Sequence, residues 1–138
     1  MRDDKAYLAK HKKLFNNLLS FLQKSLNYQI TPKLSFIQSK ANSDNPLGKT
    51  GFYDPSDHKI VIYITDRHVK DIMRSLSHEI VHHHQNCRGD FHQTNLDKTL
   101  EGNYAQTDTF LRELEREAYE QGNMLFRTWE AQIKKEEK

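Results

Sequence analysis

His78-Glu79-Ile80-Val81-His82 is the stretch on which the reading of this chain turns. Two histidines four residues apart stand one above the other on a helix, because four residues make slightly more than one turn. Their rings can therefore reach a single metal ion. Glu79 is offset from His78 by about 100°, so it can approach water on such an ion without being a ligand itself. Zinc acidifies the water it binds, and a carboxylate beside it can take the proton as that water attacks a carbonyl. The pattern H-E-x-x-H on a helix carries this chemistry. It makes His78 and His82 candidate zinc ligands and Glu79 the candidate general base. His83 and His84 follow at once but point away from the His78–His82 line, so they read as solvated or supporting groups.

Working outward, Ile72, Met73, Leu76 and Ile80 give the motif an apolar side, and the pattern predicts a helix over 69–85 capped by Thr65 or Asp66. Before it, Gly51-Phe52-Tyr53, the turn-forming Asp54-Pro55-Ser56-Asp57 and the β-branched run Lys59–Ile64 predict a β-hairpin. Leu34–Gln38 reads as a further short strand, and 42–48 as a loop on composition. Leu8, Phe15, Leu18, Leu19, Leu22 and Leu26 recur with helical period, predicting an N-terminal helix over 4–27 that ends at Asn27. Residues 86–107 are polar with no sustained period and read as a surface loop, and a last helix is expected over 108–134. No linker or repeat divides the chain. The expectation is one α+β domain over 1–138, with a short antiparallel sheet (34–64) against the motif helix.

A catalytic zinc site needs a third protein ligand and an open position. A third histidine six residues after His82 would supply one, but that position is Arg88. The carboxylates of the last helix, Glu113, Glu115, Glu117 and Glu120, are the remaining candidates. At ~100° per residue, Leu111, Leu114, Ala118, Gly122, Leu125 and Trp129 define a buried direction, from which Glu115 lies about 40° and Glu117 about 120°. A carboxylate inside an apolar stripe needs a partner, a proton or a metal. The competing reading of Glu115 is an edge carboxylate paired with an arginine. Ala118 and Gly122 are small on the same face and would let the two helices approach closely.

With these residues in view, the chain resembles the minimal gluzincin metallopeptidases, including the ImmA/IrrE-like group. The resemblance rests on His78-Glu79-x-x-His82, on Glu115-Arg116-Glu117-Ala118-Tyr119 and on the preceding hairpin, and covers about residues 50–123. It implies a zincin-like fold, Zn²⁺ as cofactor, a peptide or protein substrate, and Glu115, three residues before an alanine, as third zinc ligand. Where that group has Asp or Asn after the alanine, this chain has Tyr119, and Glu117 stays open as the alternative ligand. His92, Tyr104 and Tyr119 are the candidates for stabilising an oxyanion.

Composition narrows the alternatives. A formal net charge of +2 is too small to argue for nucleic acid, and Lys5, Lys10, Lys12 and Lys13 read as a solvated helix face. No apolar run reaches the ~18 residues of a membrane span, and the N-terminal residues do not read as a secretory signal. The lone Cys87 cannot form an internal disulfide, so a reducing, cytoplasmic setting is expected. The rival function is a non-catalytic binding or regulatory module whose metal site is structural, closed by a residue such as His83, His92 or Cys87.

Overall fold

Ile60, Val61 and Ile62 are all buried, although successive strand residues face opposite sides. A strand covered on both faces belongs in the middle of its sheet, and β3 is found there. The computed structural model describes residues 2–45, 48–91 and 104–136, with side chains from Thr109 onward in the last segment. In chain order the elements are α1 (Asp4–Lys10), α2 (Lys12–Leu26), β1 (Lys33–Ile37), α3 (Lys40–Asp44), β2 (Gly51–Asp54), β3 (Lys59–Tyr63), α4 (Val69–Arg88) and α5 (Tyr104–Glu136). Together they make an α+β arrangement with a three-stranded sheet ordered β1-β3-β2.

That sheet is mixed, not antiparallel as the sequence led us to expect. β2 and β3 form the expected hairpin, with Gly51 opposite Ile62 and Asp54 opposite Lys59. β1 lies parallel to β3, in register from Lys33–Lys59 to Ile37–Tyr63. The segment between β1 and β2, which includes α3, carries the chain past the site of β3 to the far edge. The hairpin then turns back into the central position, so β1 and β3 run the same way.

Local hydrogen bonding explains the other departures. The N-terminal helix is two helices, because His11 leaves helical geometry (φ −106°, ψ 17°) and its Nδ1 bonds the Tyr7 carbonyl. α2 does end at Asn27, which sits in the left-handed region at φ 60°. Neither Thr65 nor Asp66 caps α4. Thr65 Oγ1 accepts from the Ser39 amide at 2.8 Å, Asp66 lies in a turn at φ 57°, and His68 Nδ1 accepts from Lys70 N as the cap. α4 runs on to Arg88 and stops at Gly89, whose φ of 95° favours glycine. Residues 86–88, expected in a loop, are therefore helical, as are 104–107 at the start of α5. The 92–103 part of that expected loop lies outside the described residues.

The core gathers on α4. Ile72, Leu76, Ile80 and Val81 are fully buried against β3, against Leu18 and Leu22 of α2, and against Phe126 and Trp129 of α5. Trp129 Nε1 donates to Asn17 Oδ1 at 2.8 Å, tying α5 to α2. The tightest seam is between α4 and α5. A Cβ on Gly122 would stand 3.0 Å from His78 Cα and 3.1 Å from His78 N, and Ala118 beside it has no exposed surface. Gly122→Val should force the helices apart and cost about 1–3 kcal/mol of stability, read from the urea midpoint. An unchanged midpoint would show that the seam is slack. Among the described residues no helix is long and apolar enough to cross a membrane.

Candidate metal centre

The α4–α5 seam delivers one face of each helix to the same cleft. His78 and His82 lie a turn apart with ring centroids 4.9 Å from each other. From α5, Glu115 reaches both: Oε1 is 2.7 Å from His78 Nε2 and Oε2 is 3.1 Å from His82 Nε2. One ligand atom from each of these residues falls within 4.8 Å of the others, so the three could hold a metal ion. Glu115 is not inside the apolar stripe. Its side chain is 63% exposed, because the buried face of α5 runs through Leu114, Ala118, Leu125, Phe126 and Trp129 and leaves position 115 at its edge.

Glu79 behaves differently from Glu115. It is only 6% exposed, and its Oε2 is buried with no hydrogen-bond partner among the described residues. Burial, reinforced by the negative charge of Glu115, pushes its carboxyl up to about 8. Burial also lowers His78, as does the neighbouring His82, while Glu115 pulls the other way. The cleft measures about 390 Å³ and is bounded by β2 (Gly51, Phe52, Tyr53), by Phe91, and by His78, Glu79, His82 and Glu115.

The sequence reading missed Gln85. It is fully buried, and its Nε2 donates to the Leu114 carbonyl at 2.9 Å and to Glu117 Oε1 at 2.8 Å. Both partners only accept, so the amide oxygen must face His82, whose Nδ1 lies 2.9 Å away. Nδ1 of His82 therefore carries a proton, and when the ring is neutral Nε2 turns its lone pair toward Glu115. Two acceptors 3.1 Å apart repel unless a proton or a cation lies between them. Here the donor set fits a metal ion: two imidazoles and a carboxylate converge, and the His82 ring has its other nitrogen already engaged. The available sign in the sequence was Gln85's place three residues beyond His82, on the same helix face.

Glu117, the alternative ligand, points elsewhere. It accepts from Gln85 and from Arg88 Nη2 at 2.7 Å. Burial would raise its carboxyl, but those two hydrogen bonds and the charge of Arg88 hold it below the usual carboxylate range. Glu113 pairs with Arg116 on the surface. Tyr119 is 65% exposed and lines a second cleft that shares His78 and Glu115 with the first. His92 and the Tyr104 side chain lie outside the described residues.

His83 is neither solvated nor a support of the His78–His82 pair. It is fully buried on the opposite side of α4, where Tyr53 Oη donates to Nδ1 at 2.8 Å and Nε2 donates to the Ile30 carbonyl at 2.6 Å. No protein-family model, curated protein or solved structure matches the chain.

Proposed function

We propose that the chain is a zinc-dependent peptidase with a zincin-like fold, its ion held by His78, His82 and Glu115. The observation that carries the reading is the convergence of His78 Nε2 and His82 Nε2 on the two oxygens of the Glu115 carboxylate, at 2.7 and 3.1 Å. A cation at that point of convergence would engage all three groups at once, and zinc suits two imidazoles and a carboxylate. Bound there, zinc would supply the Lewis acidity that polarises a carbonyl and acidifies water.

The chain's own residues supply the rest. Glu79 offers the unpartnered Oε2 as the proton acceptor for an attacking water and can return that proton to the departing amine. Burial holds this carboxyl up in the metal-free protein, and a cation bound beside it would lower it toward the base form. Gln85 holds the His82 ring so that its Nε2 lone pair stays aimed into the site. β2 pairs only with β3 among the described residues, so its outer edge borders the cleft and can take an extended peptide as an added strand. Tyr119 is the described candidate for supporting an oxyanion.

The test is a metal-free preparation reloaded with zinc and offered a mixed peptide library, with products identified by mass spectrometry. One ion per His78–His82–Glu115 site and cleavage that a chelator stops and zinc restores are expected. Zinc bound with no peptide cut would replace the peptidase reading with that of a binding module.

A further inference from the structure

α4 carries a second set of donors on its far side. His83 and Cys87 are four residues apart, the same spacing that aligns His78 with His82, but five residues further on and so turned to another face. His58 reaches them from the β2–β3 turn, where its backbone is fixed at φ 50° and its carbonyl accepts from Lys33 N at 2.8 Å. One donor atom each from His58, His83 and Cys87 lies within 4.8 Å of the others. We propose that these three residues form a second metal site, for a borderline-soft divalent ion such as zinc, that ties the β2–β3 turn to the back of α4.

The distances fit. Zinc bonds of about 2.3 Å to sulfur and about 2.0 Å to nitrogen place two tetrahedral ligand atoms roughly 3.5 Å apart. Cys87 Sγ and His83 Nε2 are 3.5 Å apart. The surroundings act on the thiol and on the imidazole differently. Burial pushes the Cys87 thiol up, only partly offset by a backbone hydrogen bond with Ile30, so it is the ion that would draw off the proton. Tyr53 Oη, 2.8 Å from His83 Nδ1, stands ready to support the ring from its other nitrogen. Binding changes the protonation in a balanced way. Cys87 gives up its S–H proton to solvent. His83 keeps one proton but moves it from Nε2, where it now bonds Ile30, to Nδ1, where Tyr53 Oη accepts it. The ion takes the vacated Nε2, the sulfur and one His58 nitrogen.

The site would be structural. It joins two segments distant in sequence, the β2–β3 turn and α4, and an ion bound only to the folded state stabilises it by mass action. It does not depend on the peptidase reading, because none of its ligands borders the His78–His82 cleft.

Cobalt(II) and zinc(II) titrations of the metal-free full chain separate the two sites. Wild type is expected to take up two ions and to show thiolate-to-cobalt charge-transfer absorption. Cys87→Ser and His58→Ala, the latter a turn substitution that leaves the core intact, should each bind one ion fewer, and Cys87→Ser should lack that absorption. His78→Ala should keep the absorption while losing the other ion. Added zinc should slow alkylation of Cys87 in wild type but not in His58→Ala. A single ion that vanishes with His78→Ala, with no thiolate absorption, would overturn the second site and leave the first standing. A single ion that vanishes with Cys87→Ser would do the reverse.

Discussion

Replacing Glu79 by Gln is expected to lower peptide hydrolysis by about 10²–10⁴-fold, the range of a positioned general base, while zinc content stays as in wild type. Glutamine keeps the shape of the side chain but cannot take a proton, and no ligand to the ion has changed. The same substitution should alter the stability of the metal-free protein in a pH-dependent way. The Glu79 carboxyl rises from 4.5 when unfolded to about 8 when folded, chiefly through burial. Between those values the native state binds more protons than the unfolded one, so stability falls as pH rises from about 4.5 through about 8. Glutamine has no proton to lose, and the loss should disappear in Glu79→Gln, a difference on the order of a few kcal/mol at pH 9. The buried His78 and His83 act with the opposite sign. Their folded values lie below 6.5, so they take stability away as pH drops under 6.5, in wild type and variant alike. Urea unfolding of both metal-free proteins at pH 6.5 and 9 isolates the Glu79 contribution. An active Glu79→Gln enzyme would end the peptidase proposal. Parallel pH profiles would show instead that water reaches the carboxyl in the metal-free fold.

The contrast between the two glutamates shows what the sequence can and cannot carry. His78, Glu79 and His82 were legible because their relation is local: helix pitch alone aligns the two imidazoles and turns the carboxylate aside. Glu115 came within reach by the same reasoning applied to α5, but its exposure was misjudged. The buried direction depends on which large residues the neighbours accept, and Phe126 proved fully enclosed while Leu111 is only half-buried. The small pair Ala118 and Gly122 signalled the seam correctly, since close approach demands small side chains wherever it occurs. Nothing local marked the parallel pairing of β1 with β3, which is decided by how the 38–50 segment crosses the sheet. His83 was misread for the same reason: its partners Tyr53 and Ile30 lie 30 and 53 residues away. A polar side chain can be assigned to the surface by helix angle only if no distant segment comes to cover it.

Glu115→Ala should weaken zinc binding by more than about 100-fold, beyond the 10–100-fold loss typical of a residue that only supports a ligand. Glu117→Ala should fall within that smaller range, because Glu117 acts through Gln85 and His82 and not on the ion. The hydrogen-bond directions allow a sharper test of that chain. Gln85→Glu keeps an oxygen for His82 Nδ1 but sets a carboxylate against Glu117 and the Leu114 carbonyl, so affinity should drop. Adding Glu117→Gln restores a donor, with the amide and carboxylate exchanged between positions 85 and 117, and should recover part of the loss. A purely structural role for Gln85 gives no reason for that recovery, since the exchange still leaves the Leu114 carbonyl without its partner. Competition with a chromophoric chelator measures all four proteins on one scale. If Glu117→Ala loses more zinc than Glu115→Ala, the third ligand is Glu117 and α5 must rotate to present it. If the double variant binds no better than Gln85→Glu alone, the amide does not set the His82 ring for binding the ion.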